Sequence, residues 1–444
     1  MQFTEGPIVG PLLRFALPVL AALFLQSMYG AVDLIVVGHF AENADASAVA
    51  TGAQIMTTLT GLICSFAIGI TVLLGQCIGR GEAEEGGRIV GSGIVLFLAV
   101  GAALTAAVPL CADLLSQVMN APPEAFDLTS AYVRICGLGS VVIIAYNLIG
   151  SIFRGMGDSR TPLITVAIAC VCNIAGDLLL VAVLGMGTVG AALATVGAQA
   201  ISVAVSYLLI RKIDLPFALQ RKHLRWHGPT VRGVVRLGFP IALQDLLVGI
   251  SFMVILALVN NIGVVESAGV GAAERVCGFV MLIPSAFGQS MAAFVAQNIG
   301  AGKYKRARRS LFSAIGVSAF FAVGMFVLTF FFGRYLAQVF SPRPETVTAA
   351  AEYLKAYGVD CLFTCFLFCF IGYYNGLGLT RFVMVQGIVG AFCIRVPVSI
   401  LMSREVPPSL FHIGLATPCS TVVQILMCFG CFIYAQRKFG RAKE

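Results

Sequence analysis

Twelve apolar runs, most of them 20 residues or longer, follow one another along the chain with short polar breaks between them, and this leaves few folds open. About 20 apolar residues in helical form cross the ~30 Å hydrocarbon core of a bilayer. Within that core every backbone N–H and C=O must be satisfied internally, which only helices and closed barrels achieve. The runs lack the alternation of barrel strands, so helices are indicated. They are expected near 15–38, 47–74, 88–113, 128–152, 161–184, 188–210, 234–260, 267–296, 310–333, 352–377, 381–403 and 411–435. Composition agrees, with 59% hydrophobic and 11% charged residues, where soluble domains carry roughly 25% charged. The first run follows one basic side chain, Arg14, and outlasts a signal-peptide core, so it is expected to remain as the first helix.

One long polar stretch, 211–236, divides the runs into two groups of six. It holds seven basic residues (Arg211, Lys212, Arg221, Lys222, Arg225, Arg232, Arg236) and the single tryptophan, Trp226. The expected organisation is an N-terminal six-helix lobe, 1–210, a basic linker, 211–236, and a C-terminal six-helix lobe, 237–444. Positive charge orients such a chain. With the linker, Arg14, Arg80, Arg88, Arg154, Arg160, Lys303, Lys305, Arg306, Arg308, Arg309, Arg381, Arg437, Lys438, Arg441 and Lys443 fall on one side, 22 of the 29 Lys and Arg. The net charge of +8 is thereby explained without nucleic acid, and both termini are expected in the cytoplasm, in a cell membrane.

The two groups repeat each other. At a shift of 221, Tyr132 meets Tyr353, Gly155 meets Gly376, Gly157 meets Gly378 and Arg160 meets Arg381; at 222, Pro18 meets Pro240. An even number of spans per repeat inserts both halves the same way up, related by a pseudo-two-fold axis along the membrane normal. Two like bundles around a central cleft are a usual scaffold for alternating access.

Polar residues inside the apolar runs point to a site. A carboxylate near mid-helix costs roughly 2.5–3.5 kcal/mol on insertion scales, so Asp33 in the first run is a functional candidate. In the fifth run Asn173 and Asp177 are four residues apart and share a face. At ~1.5 Å per residue, Asp33 lies roughly 27 Å and Asp177 roughly 21 Å from the cytoplasmic ends of their helices, and Thr195 about 10 Å in from the outer end of the sixth. All are expected to meet in the outer half of one bundle. At the 221 shift their counterparts are Val254, Ile394 and Val398, so the set occurs in one copy only, which favours function over architecture. Gln26, Tyr29, Gln54, Asp245, Glu274 and Asp360 are further candidates for a substrate cleft. Gln26 and Gln54, with Gln76, Gln289 and Asn147, read equally well as hydrogen-bonding links between helices. Glu274 and Arg275 are expected to neutralise partners within the bundle, and Asp360 to lie near the outer surface.

Enzymatic readings find little. The four histidines are far apart, and H-E-x-x-H, G-x-S-x-G and G-x-x-x-x-G-K are absent, which leaves an ion gradient rather than ATP to drive any active transport. Most of the fourteen cysteines lie in apolar runs, Cys361, Cys365 and Cys369 at helical spacing, as small packing residues.

The segments FALPVL, VDLIVVGHF around Asp33, GQCIGRG, FRGMGDSRTP, NIAGD with GMGTVGAALAT, and AQNIGAGKYKRA together resemble the multidrug and toxic compound extrusion (MATE) family, over essentially the whole chain. The resemblance implies twelve helices in two lobes and export of drugs or organic cations by antiport with Na⁺ or H⁺, with no other cofactor. It also implies a first-lobe cation site like Asp33, Asn173, Asp177 and Thr195, while some branches use second-lobe acids. A carboxylate shielded from water disfavours its charged form, which makes proton binding possible near neutral pH. A lipid-linked oligosaccharide flippase of the same superfamily is the nearest rival and an ion channel a more distant one; membrane lipids are the other expected partners, and a monomer is expected.

Overall fold

A computed structural model of the protein describes residues 3–213, 215–405 and 407–440, with side chains as far as Tyr434. Arg441, Lys443 and the side chains of Arg437 and Lys438, part of the basic set above, lie outside the described residues. The regular elements described are all helical. Twelve spans result when one bent pair is counted as a single crossing. They are α1 (Val9–Phe40), α2 (Asn43–Arg80), α3 (Ala83–Leu110), α4 (Pro123–Leu138 with Ser140–Met156), α5 (Arg160–Val183), α6 (Gly187–Ile210), α7 (Gly228–Asn260), α8 (Val264–Gly300), α9 (Tyr304–Gln338), α10 (Pro344–Gly376), α11 (Thr380–Met402) and α12 (Leu410–Tyr434). Exposed large side chains such as Leu110, Phe320, Phe331 and Tyr335 would be a liability in water and are what lipid solvates. The protein is thus an all-α, multi-pass membrane protein.

Two departures from the sequence expectation have local causes. The fourth span is not one straight helix: its halves bend by 56° around Gly139. A Gly/Ser pair, here Gly139–Ser140, is a known kink site, and a side chain on Gly139 would run into Val196 of α6. The seventh span begins at Gly228 rather than near 234, with Pro229 in its first turn where a missing N–H costs nothing. Arg232 and Arg236 therefore belong to a helix, not to the linker.

Between Phe217 and Arg225 the linker touches α3. Ala218 N–H donates to the Ala83 carbonyl at 3.1 Å, the Ser92 hydroxyl to the Arg225 carbonyl at 3.2 Å, and Lys222 pairs with Glu84 at 2.8 Å. Buried His223 reaches the same Glu84 oxygen at 3.0 Å. Gly87 and Gly91 on α3 make this approach possible, because a Cβ at either would strike Ala218 or His223.

The repeat is visible in the helix ends. Gly81 and Gly302 (φ 75° and 71°), and Gly157 and Gly378 (φ 81° and 78°), 221 residues apart in each pair, are left-handed. Only glycine adopts this conformation without strain, and it closes the helix by turning the chain back on its last carbonyls. Asp158 N–H bonds the Phe153 carbonyl and Leu379 N–H that of Tyr374 in matching fashion.

The chain forms two compact units, one mainly Arg14–Ala242 and the other mainly Leu243–Val295 with the chain beyond Lys303. The core of the first gathers Val36, Val37, Val49, Tyr132 and Val133. That of the second gathers Val270, Ala273, Tyr353, Leu354, Cys361 and Cys365, with the cysteines acting as small packing groups.

Candidate ion-coupling site

In the first unit α1, α5 and α6 bring Asp33, Asn173, Asp177 and Thr195 together. Asn173 Nδ2 donates to Asp33 Oδ1 at 3.1 Å and to Thr195 Oγ1 at 3.4 Å, and the Thr195 hydroxyl donates to Asp33 Oδ2 at 3.2 Å. Asp177 places its carboxyl beside that of Asp33. Neither Asp177 oxygen, nor Asn173 Oδ1, has a hydrogen-bond partner among the described residues. The two carboxyls are almost wholly buried, Asp33 at 4% and Asp177 at 0% exposure.

Local structure holds these groups in place. Directly after Asp177, α5 widens into a π-helical turn, Leu178–Val183, a distortion frequent at functional sites. Asp45 of α2 fastens the start of α6, its Oδ1 accepting the Thr188 N–H at 2.7 Å and the Thr188 hydroxyl at 2.6 Å. Thr195 lies seven residues, about two turns, along from Thr188 on the same face. Tyr132 of α4 is buried beside Asp33 and Thr195, in space left by Gly52. Tyr29 lies near Asp33 and Gln199.

The other candidates scatter. Gln26 Nε2 donates to the Tyr146 hydroxyl at 3.3 Å and so links α1 to α4. Gln54 and Asp245 are exposed, as is Arg275, while Glu274 is half-buried. Asp360 does not lie near the surface as expected; it is 2% exposed, with Thr364 of α10, Thr421 of α12 and Arg395 of α11 near it. Two residues without a role in the sequence analysis matter to the polar clusters: Asp45, just ahead of the second apolar run, and Arg395, a base inside the eleventh.

Two buried carboxyls side by side repel unless a proton or a metal ion is shared between them. The oxygens available are those of the Asp33 and Asp177 carboxyls with the neutral Asn173 Oδ1 and Thr195 Oγ1, a hard set suited to H⁺ or an alkali cation. Among the described residues no three His, Cys, Asp or Glu side chains converge, so nothing resembles a transition-metal site.

These features are those of a helical membrane carrier with an intramembrane acid site. The MatE family model matches residues 18–179 and again 240–401, well over half the chain. The chain is 27% identical over 443 residues to the probable multidrug resistance protein YpnP of Bacillus subtilis (strain 168), covering 100% of this chain and 97% of that one. It is 23% identical over 446 residues to a FAD transporter of Shewanella oneidensis, covering 98% and 95%. Its fold matches the outward-facing conformation of a multidrug resistance MATE family transporter with a TM-score of 0.91, at 19% identity over 98% of each chain. The protein belongs to the MATE family of efflux transporters and is a transporter rather than an enzyme.

Proposed function

We propose that the protein is a secondary active antiporter that exports small organic, mainly cationic compounds in exchange for Na⁺ or H⁺ by alternating access, working as a monomer in the cell membrane with both termini in the cytoplasm. The observation that carries this reading is the buried pair Asp33 and Asp177, held by Asn173 and Thr195 with acceptor oxygens to spare. An ion or proton taken up between the carboxyls removes their repulsion and draws α1 and α5 together; its departure lets them part. A ligand shifts such an equilibrium by as much as it binds one state better than the other. Substrate favoured by the ion-free state and ion favoured by the other then exchange places.

The test is dye export from proteoliposomes under an imposed Na⁺ or H⁺ gradient. The panel is of cationic dyes, with a flavin nucleotide added because one relative is named a FAD transporter. Export driven by one of the two gradients is expected. Equal export with neither gradient imposed sinks the antiport reading.

A further inference from the structure

The second unit contains a polar cluster that the coupling reading leaves unused. Asp360 on α10 and Arg395 on α11 are both buried, at 2% and 5% exposure. Thr364 Oγ1 donates to Asp360 Oδ2 at 2.7 Å, and Thr421 of α12 lies close to the same carboxyl. Arg395 Nη1 donates to Ser251 Oγ of α7 at 2.9 Å, and its guanidinium lies 4.2 Å from the Phe252 ring centroid. Arg395 ends a π-helical turn, Val389–Arg395, just as Asp177 precedes one. Asp360 and Arg395 lie near enough for each charge to bear on the other, yet Asp360 Oδ1 and Arg395 Nε have no hydrogen-bond partner among the described residues. Around them stand Tyr353, Tyr357, Cys277 and Cys361, with Glu274 beyond Cys277.

The repeat gives this arrangement its meaning. The family-model matches run 18–179 and 240–401, and at the 221 shift that joins Arg160 to Arg381 the counterpart of Asn173 is Ile394, so Arg395 falls one residue beyond it. The helices involved correspond too, α1, α4, α5 and α6 matching α7, α10, α11 and α12. The first cluster has two buried carboxyls and no base; the second has one buried carboxyl, Asp360, and one buried base, Arg395, with half-buried Glu274 at its edge.

We infer that Arg395 is a tethered counter-cation, which holds in the second unit the place that a bound ion takes beside Asp33 and Asp177, so that Asp360 draws no ion from solution. In a low-dielectric interior two opposite charges attract well beyond contact distance. The pair therefore compensates itself without a direct ion pair, and Arg395 confines ion binding to one half of the protein. The comparison with the first unit rests on the proposed ion site at Asp33 and Asp177, whereas the compensation of Asp360 by Arg395 does not, and the experiment below reads only the latter.

The experiment follows thermal unfolding of the full-length protein in sodium chloride against choline chloride at equal ionic strength, which cancels general screening. Wild type, Arg395→Lys, Arg395→Gln and the Arg395→Gln, Asp360→Asn double variant are compared. Any response from the first-unit carboxyls is common to all four, so the reading is the increment over wild type. Arg395→Gln should unfold several degrees lower in choline and recover most of that loss in sodium, while Arg395→Lys and the double variant show no increment. An Arg395→Gln protein that unfolds at the same temperature in both salts overturns the inference, as does a double variant that responds as strongly as the single one. If Arg395→Gln yields no folded protein, the double variant must restore folding; failure to do so assigns Arg395 to packing rather than charge.

Discussion

The polar clusters of the two units occupy corresponding helices but carry different charge. The cluster of α1, α4, α5 and α6 sets Asp33 beside Asp177 with only neutral donors, Asn173 and Thr195, around them. The cluster of α7, α10, α11 and α12 sets Asp360 opposite Arg395, with Thr364 and Ser251 as neutral partners. On the proposed reading, one repeat leaves a buried negative charge to be balanced from solution and the other balances its own, so that a duplicated scaffold binds an ion in one copy and serves as a fixed frame in the other. The backbone differs at the same level: α4 is bent at Gly139, and at the 221 shift its counterpart is Asp360, inside the unbroken α10.

The comparison can be broken at several points. The largest effect is expected from Asp33→Asn with Asp177→Asn, which keeps side-chain volume but removes both charges. Gradient-driven dye export should fall to the level of protein-free liposomes while expression and fold persist. Full coupled export by that variant moves the site elsewhere.

Removing one charge from the second cluster should instead be felt in stability. Arg395→Ala leaves the Asp360 charge buried and uncompensated, a loss of about 3–5 kcal/mol. Asp33→Asn in the first cluster relieves repulsion, so in a cation-free buffer its unfolding midpoint should match or exceed wild type. Denaturation of both variants side by side checks the contrast, and equal destabilisation would erase it.

A smaller effect distinguishes the coupling ions. Thr195→Val takes away one neutral oxygen. If Na⁺ is coupled, the sodium concentration for half-maximal export should rise roughly tenfold, or about 1.4 kcal/mol. If H⁺ is coupled, the proton needs only the carboxyls and export should change little. Smallest of all, Gln54→Ala at an exposed position should leave stability within about 0.5 kcal/mol of wild type and transport unchanged.

Much of this was readable from the residues because the bilayer imposes a simple length rule. The twelve spans follow from runs of apolar residues, and their ends moved where caps and prolines act locally, as at Gly228 and Pro229. The bend in α4 was not readable, since hydropathy does not register direction and Gly139 is one of many glycines in these helices. Bringing Asp33, Asn173, Asp177 and Thr195 together needed only helical rise and a count from the helix ends. The Asp360 and Arg395 cluster escaped because neither residue has an amide or a second charged side chain four positions away, whereas Asn173 stands four from Asp177 in α5. At the 221 shift Asn173 meets Ile394, and the neighbouring Arg395 is a base, not a carboxylate.

The most direct test of the central claim, that the first-unit carboxyls couple transport to an ion, is counter-flux of radioactive sodium and of protons during dye export. It should be measured in proteoliposomes for Asp33→Asn and for Asp360→Asn at matched protein density. Ion counter-flux should vanish in Asp33→Asn and continue in Asp360→Asn in proportion to whatever dye that variant still exports. Counter-flux that survives in Asp33→Asn and is lost in Asp360→Asn would contradict the account and place coupling in the second unit.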